Sequence, residues 1–133
     1  MTVFLDSSAF IAYHRKQDAH HAAAVNHLDE FSDANAATYT SSHVLEEVVT
    51  YLQAKDGPQK AFEAGQKILE NNQLTVVYPD EKKIRRGLDV VRQRKGLSLC
   101  DALTVVIMQE EGIGALCSFD SDFDQFNHIE RLH

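Results

Sequence analysis

Four short apolar stretches of the chain each carry a carboxylate at a place where apolar neighbours disfavour one. The stretches and their acids are residues 3–8 with Asp6, 44–49 with Glu46 and Glu47, 97–103 with Asp101, and 116–123 with Asp120 and Asp122. Acids at the edge of apolar segments lose hydration unless positive charge meets them there, yet none of these stretches contains Lys or Arg. A hard divalent cation, Mg²⁺ or Mn²⁺, suits several carboxylates with no local base. Because carboxylate-held metals hydrolyse phosphodiesters in many sites, the pattern indicates that chemistry.

Each acid also has an ordinary structural interpretation. Asp6 precedes Ser7 and is able to cap a first helix, and Asp101 lies three residues after Ser98 in a capping-box-like start. Glu46 and Glu47 are about 100° apart on a helix, so only one faces a given cleft, and periodicity does not separate them.

The fourth stretch leaves a similar choice. Asp120 is nearest the end of a predicted strand and is the first choice as a site residue, with Asp122 second. Ser8 and Ser118 are supporting candidates, because their hydroxyls are able to orient a carboxylate or a metal-bound water.

Length and composition predict a single globular domain over residues 1–133. Hydrophobic residues make up 44% and charged residues 25% of the chain, as in ordinary globular proteins. No apolar run approaches the roughly 20 residues of a membrane span, and the chain starts with a strand-like segment instead of a basic signal region. The expected compartment is the cytoplasm, with no membrane partner.

Zinc binding and disulfide formation are not expected. Cys100 and Cys117 lie within apolar segments, where thiols behave as small hydrophobic groups. His20, His21 and His27 are predicted on one helix, but their spacing is not that of a zinc site, so they are interpreted as surface residues.

Basic residues concentrate in one segment of an acidic protein. The formal net charge of -7 argues against bulk attraction to nucleic acid. Seven of the thirteen Lys and Arg residues nevertheless lie between positions 82 and 95, either as a solvated helix face or as a local phosphate-contacting patch. The candidate RNA contacts in that patch are Lys82, Lys83, Arg85, Arg86 and Arg92.

Alternation of strand-like and helix-like segments predicts a parallel α/β sheet. The predicted strands are 2–5, 36–40, 74–78, 115–118 and an edge strand at 128–132. Six helices are predicted. The first is short, is capped by Ser7 or Ser8 and ends at Tyr13, and the third is capped by Ser41 or Ser42. The second, fourth and fifth cover 18–31, 58–71 and 80–95, and the sixth is a buried helix from Ser98 to about Glu111. Ligands bind beyond the carboxyl ends of such strands. Asp6 and Asp120 follow strands, while Glu47 and Asp101 lie in early helical turns, so the acids are expected to converge.

The motifs together resemble those of the PIN-domain family, the metal-dependent nucleases that include VapC-type toxins. The matching segments are Phe4-Leu5-Asp6-Ser7-Ser8, the helix start at 40–47, Leu99-Cys100-Asp101-Ala102-Leu103, and Ser118-Phe119-Asp120-Ser121-Asp122-Phe123. Each motif is weak alone, but four in the right order over the whole chain form a specific pattern. Ser118 stands where the family often has Thr, which keeps the hydroxyl.

The resemblance implies a three-layer α/β/α fold around a short, mainly parallel sheet. It places the family's four acids on Asp6, Glu47, Asp101 and Asp120, with Asp6, Asp101 and Asp120 as ligands of Mg²⁺ or Mn²⁺. It also implies RNA as substrate, a homodimer, and an antitoxin partner for toxin members. The expected reaction is in-line attack by water on a phosphodiester, leaving a 5′-phosphate and a 3′-hydroxyl.

Other function classes fit the sequence less well. A metal-dependent adhesion motif is broken because Phe10 occupies its last serine position, and a phosphoacceptor domain would have paired acids after the first strand. The remaining alternative is a PIN fold with weak or no nuclease activity that binds RNA or a protein partner.

Overall fold

A five-stranded sheet organises the computed structural model, which describes residues 1–133. The strands are β1 (Thr2–Leu5), β2 (Ala37–Ser41), β3 (Leu74–Val77), β4 (Ala115–Cys117) and β5 (Glu130–Leu132). The helices are α1 (Ser7–His14), α2 (His21–Asp33), α3 (Ser42–Asp56), α4 (Pro58–Glu70), α5 (Glu81–Gln93) and α6 (Leu99–Glu111), with a 3₁₀ helix at Ser121–Gln125. The α/β class is confirmed, and the sheet is parallel throughout, where a mainly parallel one was predicted.

Strand β1 lies at the centre of the sheet, in the order β3-β2-β1-β4-β5. Val3 is paired with Thr38 on one side and Ala115 on the other. The chain therefore builds outward through β2 and β3, then returns to add β4 and β5 on the opposite side of β1. Crossovers that diverge in this way open a crevice at the carboxyl end of the central strands.

The core packs on both sides of this strand. Val3, Phe4 and Leu116 are fully buried, and α6 is buried continuously from Ala102 to Met108, as its apolar sequence predicted. The helices form two packed groups, α1 to α4 and α5 with α6. None of the helices combines the length and apolar character needed to cross a bilayer.

Helix starts depend on which side chains cap them. Ser41 and Ser98 accept hydrogen bonds from the backbone N–H groups of Val44 and Asp101, as predicted. The prediction that Ser7 or Ser8 caps α1 was wrong, because Ser7 is already helical and Asp6 occupies the cap position. The Asp6 carboxylate makes no capping bond and is free for other contacts.

Two helices are shorter than predicted. Helix α2 begins at His21, not Asp18, because the Asp18 carboxylate accepts the His20 N–H in a turn that precedes the helix. Helix α5 ends at Gln93, since Arg94 is extended and Gly96 adopts a positive φ of 78°.

Candidate functional site

Asp6 lies at the carboxyl end of β1, where its backbone N–H extends the pairing to Cys117 at 3.1 Å. Its side chain is only 3% exposed. Ser118 donates a hydrogen bond to its carboxylate at 2.8 Å, and Ser8 donates a longer one at 3.3 Å. Burial raises the pKa of Asp6, the charge of Glu47 adds to that rise, and the Ser118 hydrogen bond opposes it. The position thus holds a buried carboxylate with two hydroxyl donors.

The same two hydroxyls fix the segment after β4. Ser8 Oγ accepts the backbone N–H of Phe119 at 2.9 Å, and Ser118 Oγ accepts that of Asp120 at 3.1 Å. The Asp120 carboxylate in turn caps the 3₁₀ helix by accepting the Asp122 N–H at 2.9 Å. Ser8 and Ser118 therefore connect the first and fourth acidic segments.

Glu47 reaches this edge of the sheet from the second turn of α3, which packs against α1. Ser7 Oγ donates to one of its carboxylate oxygens at 2.9 Å, and Cys100 Sγ donates to the other at 2.9 Å. Glu46 and Glu47 are both exposed, but Glu46 makes no side-chain hydrogen bond or ion pair. The structure thus directs Glu47, not Glu46, toward the other acids.

The contact with Glu47 changes the interpretation of Cys100. Its sequence context predicted a small hydrophobic group, but the thiol is partly exposed and serves as a hydrogen-bond donor. Burial and the neighbouring Glu47 carboxylate raise the pKa of Cys100 well above its usual value, so it remains a thiol. Cys117 is buried and free, as expected.

Asp101 lies in the first turn of α6, and its electrostatic surroundings show that the acids converge. Burial, followed by the negative charges of Asp6 and Asp120, raises the pKa of Asp101 from 3.8 to about 7. Glu47 adds to the rise, and the hydrogen bond with Ser98 opposes it. Asp122 is not among these influences, although it is close in sequence to Asp120.

None of the four converging acids, Asp6, Glu47, Asp101 and Asp120, forms an ion pair. The acids are collected from four different segments, which is why no local motif contains them all. We call this set the acidic cluster.

His43 is a neighbour of the acidic cluster that the sequence did not single out. Its ring nitrogens lie 2.7 and 3.1 Å from Ser41 Oγ, and Nε2 lies 3.3 Å from Thr104 Oγ1. Burial lowers the pKa of His43 to about 4, so the ring is neutral and bridges the starts of α3 and α6. A His two residues after the strand-end Thr40-Ser41 pair was the available signal.

Arg131 is a cation beside the fourth acidic segment, and it was also missed. It pairs with Asp124 at 2.7 Å and donates to the Ser118 carbonyl at 3.2 Å. The hydrogen bond with Asp124 and the negative charges of Asp124 and Asp120 raise the pKa of Arg131. Its position on the last strand, remote in sequence from every acid motif, gave no signal.

The basic residues of α5 are mostly engaged in ion pairs. Lys83 and Arg86 both pair with Glu110, which lies nine residues, or about 14 Å, along α6 from Asp101. The other pairs join Arg85 to Glu81 and Arg92 to Asp89, and Lys82 forms none. Contact between these residues and RNA stays a prediction.

The three histidines have separate environments. His20 precedes α2 and stacks on Phe119 with ring centroids 4.4 Å apart. His21 lies 2.7 Å from the Ala12 carbonyl oxygen, and His27 stacks on Phe31 at 6.0 Å. His20 is exposed, as predicted, but precedes the helix, whereas His21 and His27 lie on α2, as predicted, but are half-buried.

The acidic cluster is distinct from the main cavity of the molecule. A cavity of about 280 Å³ lies against the first residues of β2 and β3, beneath α1, α2 and α4. His14 and Lys67 line it, together with Phe31, and burial lowers the pKa of His14. None of the four acids lines this cavity.

The donor set of the acidic cluster suits a hard divalent cation. The side chains as arranged do not form a group of three His, Cys, Asp or Glu placed to hold one ion, since three of the acids instead accept hydrogen bonds from local donors. Their chemistry fits nevertheless. Burial and neighbouring carboxylates raise the pKa of Asp6 and of Asp101, no acid of the cluster is ion-paired, and a divalent cation would offset that repulsion.

Comparison with known proteins gives a consistent result. The family profile for the PIN domain matches residues 3–129. The structure is similar to that of VapC20 of Mycobacterium tuberculosis, described as a toxin that cleaves the sarcin-ricin loop, with 24% identity, a TM-score of 0.82, and coverage of 92% of this chain and 93% of that one. It is also similar to VapBC2 from Rickettsia felis, solved bound to a DNA fragment from their promoter, with 17% identity, a TM-score of 0.72 and full coverage of both chains.

The comparison with curated proteins gave no match. The two structural likenesses establish the shared fold, and the family profile spans nearly the whole sequence, including every acid of the cluster. The chain belongs to the PIN domain family.

Proposed function

We propose that this protein is a ribonuclease that hydrolyses RNA phosphodiester bonds with Mg²⁺ or Mn²⁺, and that it is the toxin of a toxin–antitoxin pair. The observation that carries the proposal is the acidic cluster, where burial and like charge raise the pKa of Asp101 to about 7. Unpaired carboxylates in mutual repulsion destabilise a fold, so a functional reason for keeping them is required. Family membership and the toxin structures with the same fold support the same conclusion.

Asp6, Asp101 and Asp120 are the residues that would hold the ion. When bound, Mg²⁺ or Mn²⁺ supplies a water of lowered pKa and neutralises charge on the attacked phosphate. Ser118 and Ser8 fix the orientation of Asp6 through hydrogen bonds of 2.8 and 3.3 Å. These contacts preorganise the carboxylate before substrate arrives.

Glu47 has a different role in the proposal. Ser7 and Cys100 each hold one of its two carboxylate oxygens, which sets its direction toward the cluster. Held by these two donors, the Glu47 side chain is placed to orient the attacking water. No side chain has to act as a nucleophile.

Two exposed apolar pairs support protein partners. Phe62 and Leu69 lie two turns apart on α4 and are 60% and 50% exposed, while Ile84 and Leu88 lie one turn apart on α5 and are 38% and 52% exposed. Large apolar side chains repeated along one helix face are characteristic of interaction sites. We propose that these faces serve a homodimer and an antitoxin, and that the protein acts on RNA in the cytoplasm.

The test is cleavage of a structured RNA by EDTA-stripped protein, with and without Mn²⁺ or Mg²⁺. We expect cleavage only with metal, products with 5′-phosphates, and loss of activity in Asp6→Asn. Asp122→Asn is the matched control, because its exposed carboxylate is not among the charges acting on Asp101.

A measurement of metal binding distinguishes the proposed nuclease from a binding module without catalytic activity. Calorimetric titration of Mn²⁺ into the stripped protein is expected to show a site that Asp101→Asn weakens. A wild type that binds no Mn²⁺ and cuts no RNA would contradict the nuclease and favour the binding module.

A further inference from the structure

An aromatic stack borders the acidic cluster without belonging to it. The rings of His20 and Phe119 are nearly parallel, at 7°, with centroids 4.4 Å apart. Phe119 lies between Ser118, which donates to Asp6, and Asp120. Phe119 is half-buried, whereas His20 is exposed, so the stack covers one face of the imidazole and leaves the rest of the ring accessible.

Both rings are carried on anchored backbone. The Phe119 N–H donates to Ser8 Oγ at 2.9 Å, and Ser8 also contacts Asp6, which ties the ring position to the first acid. The His20 N–H donates to the Asp18 carboxylate at 2.8 Å. A surface ordered before binding saves the entropic cost of ordering it on contact.

The charge distribution makes a stacking contact valuable here. Binding of nucleic acid usually depends on many Lys and Arg contacts to phosphate, but this protein has a net charge of -7. Four of the five basic residues singled out on α5 are held in ion pairs. Base stacking on an aromatic ring supplies affinity that does not depend on net charge, and it accepts any base.

We propose that the accessible face of His20, supported by Phe119, stacks a nucleobase of single-stranded RNA next to the phosphate that is cut. The proposal rests on the proposed ribonuclease function and adds a substrate-binding residue outside the acidic cluster. His20 contacts the base and takes no part in proton transfer.

The test compares two ligands that differ only in the base, adenosine 5′-monophosphate and ribose 5-phosphate, in the presence of Mg²⁺. Neither contains an internucleotide bond, so neither is cut. By NMR titration we expect the wild type to bind the nucleotide about tenfold more tightly. The preference should disappear in His20→Ala and persist in His20→Phe.

His27 provides a matched control, because it also stacks on a phenylalanine but over Phe31, which lines the separate cavity. His27→Ala should keep the preference for the nucleotide. The chain has no Trp, so His20→Trp introduces a single tryptophan whose selectively excited emission the nucleotide should quench, whereas the emission of His27→Trp should not respond.

Equal binding of the two ligands, binding of neither, or an unchanged preference in His20→Ala would overturn the stacking proposal. These results are independent of cleavage. A protein that cuts RNA but shows no base preference contradicts only the stacking site, whereas one that prefers the nucleotide but never cuts RNA contradicts only the nuclease.

Discussion

Replacing Asp101 by Asn should stabilise the metal-free protein at alkaline pH. Burial and the charges of Asp6 and Asp120 raise the pKa of Asp101 from 3.8 to about 7 in the folded state. The folded protein therefore holds a proton on Asp101 between about pH 4 and pH 7, where the unfolded chain has released it. Stability falls as pH rises through this window, and the whole penalty is present above pH 7.

The size of the effect follows from the same pKa values. A pKa of 3.8 in the unfolded chain and about 7 in the folded one corresponds to at most about 4 kcal/mol. Asp101 is only partly buried, so solvent screening reduces this to about 2 kcal/mol. For a chain of 133 residues that is a rise of about 7 °C in Tm at pH 8. At pH 4 the variant and the wild type should differ little.

Thermal unfolding of both proteins in EDTA across pH 4 to 8 measures the difference, with Asp122→Asn as the control that should follow the wild type. Parallel pH profiles, or an Asp101→Asn protein that is less stable at pH 8, would refute the electrostatic reasoning. Adding Mn²⁺ to about 100 times its Kd should stabilise the wild type by about 2.7 kcal/mol. The same addition should stabilise the variant much less.

Three further outcomes test the site and the fold. Glu47→Gln should lower RNA cleavage about 100-fold, whereas Glu46→Gln on the same turn should leave it unchanged, and initial rates with Mn²⁺ compare them. Ser118→Ala removes the 2.8 Å hydrogen bond to the buried Asp6 carboxylate and should lower the free energy of unfolding by about 2 kcal/mol in urea titrations at pH 8. Gly112→Ala forces a side chain into a left-handed helix end with φ of 68° and should cost about 1 kcal/mol by the same measurement.

The strands and buried helix were predictable because their signals are local. Thr2–Leu5 is a run of strand-forming residues, and the apolar sequence of α6 has a matching buried environment from Ala102 to Met108. Ser41 and Ser98 were recognisable as helix caps, because each lies three residues before the backbone N–H group whose hydrogen bond it accepts. In these segments local propensity and tertiary packing favour the same structure.

The residues that donate hydrogen bonds to Glu47 and Asp6 were not predictable from local sequence. Ser7 and Cys100 are separated from Glu47 by 40 and 53 residues, and Ser118 from Asp6 by 112. The cap prediction for α1 also failed: the Asp6 carboxylate makes no capping bond and instead accepts hydrogen bonds from Ser8, two residues away, and from Ser118, at the other end of the chain. The choice between Glu46 and Glu47 likewise depends on where α1 and α6 pack.

Two sets of acids in this chain have opposite electrostatic surroundings, and the contrast bears on what each set does. Asp124 and Glu110 pair with Arg or Lys, and these contacts keep the pKa of each below its usual value, so their charges stabilise the fold. Asp6 and Asp101 have no cationic partner, and burial raises the pKa of each, so their charges work against the fold. The ion pairs of Arg and Lys are made to acids outside the acidic cluster, and none is made to Asp6, Glu47, Asp101 or Asp120. This is the arrangement that the proposed function requires, because a bound Mg²⁺ or Mn²⁺ would supply the positive charge that these acids lack.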